Sequence, residues 1–178
     1  LISSVAVYGI QEGDFIVEKF PLNACDPYGI SKIEAEKLVV EWCCKNDVKF
    51  TILRLPLVVG NNAPGNLSDL IKSINKGFYF NIGSGTARKS MVLAEDVAKV
   101  IGTASEVGGI YNLTDGYHPS FAELSNHISI QLGMGKPMNM PLWLARIIAY
   151  LGDLLGSKAP LNTNKFDKIT SNLTFDIT

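Results

Sequence analysis

The fold is decided by a helix that opens with Asp26-Pro27-Tyr28-Gly29-Ile30-Ser31-Lys32-Ile33-Glu34-Ala35-Glu36. Asp26 is a favoured N-cap residue and Pro27 suits the first helical position, so a helix is predicted over residues 27–45. The apolar runs on either side, residues 1–8 and 50–59, are rich in β-branched residues, as buried parallel strands are. Strand, helix and strand together predict a βαβ unit.

The composition is that of a globular chain with one core, or one core and a smaller satellite. The chain has 178 residues, of which 47% are hydrophobic and 19% charged, and its formal net charge is -1. This charge gives no indication of nucleic acid or an anionic membrane surface as a partner. Cys25, Cys43 and Cys44 do not suit a disulfide framework, which favours a reducing cytoplasm. His118 and His127 stand alone, and no metal site is predicted.

Turn residues at 61–65 mark a predicted domain boundary after residue 60. Beyond it we predict helices at 66–76, 95–104, 120–133 and 141–155, and strands at 78–82, 89–93 and 109–113. The apolar helix at 141–155 is too short to span a bilayer. Packing in a core or an interface is favoured for it, and docking on a membrane surface or a partner is the alternative.

Tyr28 and Lys32 form a Tyr-x-x-x-Lys pair on one face of the first helix, a single turn apart. A phenol is a weak base at neutral pH, and a neighbouring cation favours its ionised form. Such a pair can therefore exchange a proton with a substrate hydroxyl. The spacing also arises by chance on solvated helices, so it is informative only together with other motifs.

Three blocks occur in a fixed order: Ser3-Ser4-Val5-Ala6-Val7-Tyr8-Gly9, Pro27-Tyr28-Gly29-Ile30-Ser31-Lys32-Ile33-Glu34-Ala35-Glu36 and Leu53-Arg54-Leu55-Pro56-Leu57-Val58-Val59-Gly60. In this order and spacing the chain resembles the extended short-chain dehydrogenases that act on nucleotide sugars, such as the UDP-galactose 4-epimerases. The resemblance continues to residues 168–176, which are similar to the tail of polysaccharide-pathway epimerases and reductases.

The resemblance implies an α/β fold. Residues 1–60 would be part of a Rossmann-type, doubly wound parallel sheet that binds a dinucleotide, and residues 61–178 a smaller α+β domain that binds the nucleotide sugar. The glycine-rich turn that cradles the pyrophosphate in this family is absent from the chain, which therefore resembles an N-terminally truncated member. The intact enzyme is expected to use NAD or NADP, and the chain alone is expected to hold neither.

The same resemblance assigns the catalytic roles. Ser4 lies five residues before Gly9, where the family has its catalytic serine or threonine, and Tyr28 and Lys32 match its tyrosine and lysine. Tyr28 would exchange the hydroxyl proton, Ser4 would hydrogen-bond the same oxygen, and Lys32 would bind the nicotinamide ribose. A serine at the carboxyl end of a parallel strand fits this role, because open α/β sheets bind ligands there.

Further binding residues follow from the resemblance. Pro56 and Leu57 fall where the family lines the nicotinamide end of the site, although UDP-galactose epimerases have Asn in place of Leu57. Asn66 and Leu67 open a helix whose free N–H groups suit a phosphate. The diphosphate-binding arginine of the family is replaced by Lys89, with Arg88 beside it.

The implied activity is that of an NAD(P)-dependent epimerase or dehydratase, with hydride transfer at C4 of a nucleotide sugar, in particular a UDP-sugar, in polysaccharide precursor synthesis. A 4-keto nucleotide-sugar reductase and a non-catalytic nucleotide-binding relative remain as alternatives. The helix at 27–45 also carries Ile33, Val40 and Trp42, more apolar surface than one sheet face needs, which predicts a homodimer through this helix.

Overall fold

The computed structural model describes residues 1–60, 66–155, 159 and 161–177, and the chain divides into two compact units. The first unit consists of Leu1–Asn61, Ser90–His118 and Thr174–Thr178, and the second of Asn62–Lys89 and Pro119–Leu173. These units differ from the single boundary predicted after residue 60, because the chain returns to the first unit at Ser90. The assignment of cofactor and substrate binding to separate domains stays a prediction.

The strands in the described residues are short. They are β1 (Ile2–Ser4), β2 (Gly13–Ile16), β3 (Thr51–Leu55), β4 (Leu57–Val59), β5 (Phe80–Ile82), β6 (Met91–Leu93), β7 (Gly109–Asn112), β8 (Met138–Met140) and β9 (Leu173–Phe175). The helices are α1 (Pro27–Lys45), α2 (Asn66–Asn75), α3 (Ala94–Val107), α4 (Phe121–Gln131), α5 (Leu142–Leu155) and α6 (Thr163–Thr170), and a 3-10 helix, Val5–Tyr8, directly follows β1. None of the helices in the described part of the chain is long and apolar enough to cross a membrane.

A parallel sheet in the order β1-β3-β7 organises the first unit. Ile2 is paired with Leu53, and Thr51 with Gly109. β3 lies between two neighbours and its last four residues are buried, which accounts for its nearly continuous apolar sequence. Parallel strands combined with helices confirm the predicted α/β class.

Two of the predicted strands are interrupted for local reasons. The run at residues 1–8 is extended only to Ser4, whose hydroxyl accepts the N–H of Ala6 at 3.2 Å and caps the 3-10 helix. The run at residues 50–59 is divided at Pro56, which has no N–H to donate to a neighbouring strand. After Pro56 the chain leaves β3's sheet, and β4 pairs with β6 instead.

The predicted start of α1 is confirmed. Asp26 Oδ1 accepts the N–H of Gly29 at 3.0 Å, and Pro27 is the first helical residue. The helix ends at Lys45, where the N–H of Asn46 still reaches the carbonyl oxygen of Trp42.

The described residues of the second unit form β5, β8 and the helices α2, α4, α5 and α6. β5 and β8 are parallel, with Asn81 paired with Asn139. α4 begins at the predicted capping box, in which Ser120 Oγ accepts the N–H of Glu123 at 3.2 Å and the Glu123 carboxylate accepts the N–H of Ser120 at 2.7 Å. The core of this unit is formed where α5 packs on α6, around Ala145, Ala149 and Phe166.

Glu36 of α1 and Arg54 of β3 form a buried, bidentate ion pair in the first unit. Arg54 Nε donates to Glu36 Oε1 at 3.0 Å, and Arg54 Nη2 donates to Glu36 Oε2 at 2.7 Å. The side chain of Arg54 is 3% exposed and that of Glu36 is 4% exposed. Burial opposes the charge of Arg54, but its hydrogen bonds to Glu36 and Tyr8 outweigh burial and leave the pKa of Arg54 above its ordinary value.

The remaining polar atoms of this pair are also hydrogen-bonded. Ser3 of β1 donates its hydroxyl proton to Glu36, and Arg54 Nη1 donates to Tyr8 Oη at 3.1 Å and to the Glu18 carbonyl at 3.0 Å. Tyr8 donates in turn to Asn112 Oδ1 at 2.7 Å. One network therefore connects β1, the 3-10 helix, α1, β3 and β7.

Substitution of Glu36 by Gln should lower the free energy of unfolding by about 3 kcal/mol, because it leaves the Arg54 charge buried without its counter-ion. Urea denaturation of the full-length protein measures this loss. Asp96→Asn is the matched control: Asp96 is paired with Lys99 at 2.7 Å on the exposed side of α3, so this change should leave the unfolding midpoint nearly unchanged. Equal losses in the two variants would contradict a special contribution of the buried pair.

Candidate active site

Ser4 lies at the carboxyl end of β1, half-buried, where the strand passes into the 3-10 helix. Its hydroxyl oxygen accepts the N–H of Ala6. A hydroxyl has one proton to donate and two lone pairs to accept with, so this contact leaves the Ser4 proton available for a ligand.

Tyr28 and Lys32 lie on the first two turns of α1. Lys32 Nζ is 5.7 Å from the centroid of the Tyr28 ring and donates to the carbonyl oxygen of Ile2 at 3.3 Å. The Tyr28 side chain is 56% exposed, so its hydroxyl is accessible to a ligand. The structure thus brings the predicted phenol and cation together beside β1, two residues before Ser4.

Gly29 allows α1 to approach the 3-10 helix closely. A Cβ atom at this position would lie 2.8 Å from the carbonyl oxygen of Ala6 and 2.5 Å from the Cβ of Ala24. A larger residue would push the first turn of α1 away from the segment that follows Ser4. The Gly that follows Tyr28 therefore contributes to the placement of the phenol.

Sequence reasoning gave no role to Ser3, Glu36 and Arg54, which hold this arrangement in place. Glu36 lies one turn beyond Lys32 on α1 and binds the hydroxyl of Ser3, the neighbour of Ser4. The available signal was Arg54, a charged residue inside an otherwise apolar strand sequence. Such a residue needs a buried partner, and Glu36 is the partner found.

Pro56 and Leu57 follow β3 and are both half-buried. They belong to the same unit as Ser4 and Tyr28. Their predicted contact with a nicotinamide stays a prediction.

The predicted phosphate-binding residues belong to the second unit. Leu67 is buried in the first turn of α2, so only its backbone N–H could contact a ligand, and the side chain of Asn66 lies outside the described residues. Arg88 Nη1 is 3.9 Å from a carboxylate oxygen of Glu123, and both side chains are about half exposed. At this distance and exposure the pair is weak.

Lys89 is more affected by burial than Arg88. The two residues form isolated β-bridges with different segments, Arg88 with Ser120 and Lys89 with Leu173. Burial, and then repulsion by Lys168, lower the pKa of Lys89 to about 8. A bound anion would relieve the repulsion between these two cations, which suits a phosphate group.

No group of three or more His, Cys, Asp and Glu residues within the described ranges could hold a metal ion.

Lys89 should lose its proton near pH 8 rather than near its ordinary value of about 10.5. We expect its acetylation rate, followed by mass spectrometry against pH in the full-length protein, to rise through this range. Lys168→Gln should move the midpoint to higher pH, because it removes the repelling charge. Lys136→Gln, which removes a lysine elsewhere in the second unit, is the control; a midpoint near 10.5 in the unaltered protein would contradict the prediction.

The fold occurs in solved structures of sugar-nucleotide epimerases. A UDP-glucose 4-epimerase of Thermotoga maritima, solved with UDP-glucose, superposes with a TM-score of 0.69 at 19% identity, over 99% of this chain and 53% of that one. A UDP-N-acetylglucosamine 4-epimerase of Methanobrevibacter ruminantium gives a TM-score of 0.65 at 20% identity, over 99% and 56%. At such identities the likeness concerns the fold, and it confirms the predicted Rossmann-type α/β class.

Two curated relatives are similar in sequence. An N-acetyl-alpha-D-glucosaminyl-diphospho-ditrans,octacis-undecaprenol 4-epimerase of Escherichia coli O157:H7 is 29% identical, over 99% of this chain and 56% of its own length. A UDP-glucose 4-epimerase of Vibrio cholerae is 28% identical, over 85% of this chain and 46% of its own. The chain therefore spans about half the length of these relatives.

Residues 1–114, which contain Ser4, Tyr28 and Lys32, match the sequence model of one family. This range includes the parallel sheet, α1 and the buried network that positions them. The chain belongs to the NAD dependent epimerase/dehydratase family.

Proposed function

We propose that the chain carries the catalytic residues of an NAD(P)-dependent enzyme that inverts C4 of a sugar attached to a diphosphate. The observation that carries this proposal is the placement of an accessible Tyr28 phenol next to the Lys32 ammonium, beside the strand that ends at Ser4. Family membership and the names of the relatives add support.

Tyr28 would take the proton of the sugar C4 hydroxyl and return it in the reverse step. Lys32 would stabilise the negative charge on the phenol oxygen during this transfer, since its ammonium group lies against the Tyr28 ring. The ammonium group also donates to the Ile2 carbonyl oxygen at 3.3 Å, which favours a position beside β1.

Ser4 would donate its hydroxyl proton to the same sugar oxygen as that oxygen becomes a carbonyl. The N–H of Ala6 donates to the Ser4 hydroxyl oxygen and so orients the hydroxyl for this purpose. Ser4 and Tyr28 would thus share one substrate atom, one as hydrogen-bond donor and the other as acid and base.

The residues present fit a nicotinamide cofactor. The Lys32 ammonium has three N–H donors, one of which contacts the Ile2 carbonyl, so it can also bind a ribose hydroxyl. Pro56 and Leu57 would line the nicotinamide end of the site. The bound cofactor would supply the hydride acceptor and donor for the sugar carbon.

The substrate would be a sugar joined by its diphosphate to a nucleotide, in particular a UDP-sugar, or to a polyprenol. Lys89, Arg88 and the first turn of α2, with Asn66 and Leu67, would bind the diphosphate that both carriers share. The polyprenol form is supported by the Escherichia coli relative, which aligns with nearly all of this chain. Either substrate suits the synthesis of polysaccharide precursors.

An assay with a UDP-sugar and with a polyprenol-linked sugar diphosphate distinguishes a C4 epimerase from a 4-keto sugar reductase and from a non-catalytic relative. A C4 epimerase interconverts the two C4 epimers without net consumption of NADPH, whereas a 4-keto sugar reductase consumes one equivalent per turnover. A non-catalytic relative binds the sugar diphosphate and does neither.

Tyr28→Phe should reduce turnover by about 10²- to 10⁴-fold, because it removes the proton-transferring group, while binding of the sugar diphosphate remains nearly unchanged. Epimer interconversion in the full-length protein measures the first effect, and calorimetric titration the second. Tyr117→Phe is the control, because Tyr117 is equally exposed in the same unit. Full activity in Tyr28→Phe would exclude the proposed mechanism.

We also propose that the full-length protein is a cytoplasmic homodimer that assembles through α1. Leu38 and Trp42, one turn apart on α1, are largely exposed, while Ile33 and Val40 are half-buried. An exposed apolar pair on a helix favours contact with another chain. Cys25 and Cys44 are free and exposed, which favours a reducing compartment.

Trp42→Glu should shift the full-length protein from dimer to monomer, because it places a charge in the proposed contact. Sedimentation velocity at micromolar concentration detects this change. Val107→Glu, which alters a similarly exposed apolar residue on α3, should leave the dimer intact. A monomeric unaltered protein would contradict the proposal.

A further inference from the structure

α5 has an inner face of small residues on which the second unit is packed. Ala145, Ala149 and Gly152 lie on this face and are buried. A Cβ atom at Gly152 would collide with the carbonyl oxygen of Leu161. The inner face is therefore fully used by contacts with the chain's own backbone and with α6.

The opposite side of α5, called here the outer face, is apolar and exposed. Its five residues are between 49% and 84% exposed: Trp143, Ile147, Tyr150, Leu151 and Leu154. At the helical repeat these positions share an arc of about 100°, so they form one continuous stripe. Exposed stripes of this kind indicate a binding surface.

The unit that carries the outer face is basic. Its sequence contains nine Lys and Arg against four Asp and Glu, a formal charge of +5. The first unit has seven against thirteen, a charge of -6, so the chain total of -1 conceals the difference. An anionic surface would attract the second unit.

The charged residues of α5 lie to one side of the outer face. Arg146 extends over the ring of Phe166, with its guanidinium carbon 5.6 Å from the ring centroid. Asp153 accepts hydrogen bonds from the N–H of Thr163 at 3.0 Å and from its hydroxyl at 3.1 Å. Both side chains are thus directed to other parts of the unit, and the stripe itself carries no charge.

We propose that the outer face of α5 docks on the surface of an anionic lipid bilayer. The helix has 14 residues and is about 21 Å long, shorter than a hydrocarbon core of about 30 Å, so it would lie along the surface. Trp143 and Tyr150 are of the residue types that favour the interface between lipid and water. The inference rests on the proposed function in one respect, since a polyprenol-linked sugar diphosphate would be presented at that surface.

Charge distinguishes this occupant from a second copy of the chain. A symmetric contact through α5 would bring two units of charge +5 together, which is unfavourable. A bilayer with anionic headgroups combines apolar burial with attraction, and each basic residue near the surface adds to binding.

Flotation of the full-length protein with vesicles tests the proposal. Binding is expected to phosphatidylcholine vesicles that contain phosphatidylglycerol, to be weaker without it, and to decrease with salt. Ile147→Gln and Leu154→Gln should each weaken binding about tenfold, because each removes an apolar side chain from the outer face. Ile130→Gln makes the same change at an exposed position on α4 and should have no effect.

Absence of vesicle binding, or binding that the two α5 variants leave unchanged, would overturn the proposal. The proposal would also be wrong if these variants dissociated an oligomer in sedimentation and retained vesicle binding, since α5 would then be a contact between copies. Tyr28→Phe should bind vesicles like the unaltered protein. The experiment therefore separates a failure of membrane docking from a failure of the proposed catalysis.

Discussion

Burying a carboxylate with a guanidinium is costly unless their polar atoms all find partners, and the Glu36–Arg54 pair meets this condition with the help of Ser3 and Tyr8. The partners come from β1, the 3-10 helix, α1 and β3, so α1 has few other positions that would satisfy the same atoms. Because α1 also carries the phenol and the ammonium, the network fixes their position relative to β1. The proposed catalysis at the surface would thus depend on polar contacts inside the unit.

Sequence was sufficient for the parts of the site that depend on local geometry. Tyr28 and Lys32 meet because four residues make about one turn of a helix, and Asp26 and Pro27 determine where that helix begins. The network behind them could not be predicted, because its hydrogen bonds join residues as distant in sequence as Tyr8 and Asn112. Periodicity shows which side of an element is buried, but it does not pair a buried charge with its partner.

The same distinction applies to the fold. Long elements with clear caps, such as α1 and the helix that begins after Ser120, were predicted nearly at their observed bounds. β2, β8, β9 and α6 were missed, because elements of three to eight residues have too few positions for a period to be detected. The equally short β5 and β6 were predicted because the turn residues Gly83-Ser84-Gly85 lie between them. β2 and β9 also depend on contacts such as that of the Phe15 N–H with Thr174 Oγ1, 159 residues apart.

The net charge of the chain is less informative than the way its charges are distributed between the two units. A net charge of -1 argued against an anionic surface as partner, yet it is the sum of an acidic first unit and a basic second unit. Debye screening limits interactions between exposed charges to about 8 Å in physiological salt, so the net charge of a whole chain does not describe the field near any one surface. The charge of the unit that carries a surface is therefore a closer guide to that surface than the charge of the whole chain. On that basis the apolar stripe of α5 and the positive charge of its unit favour the same kind of partner.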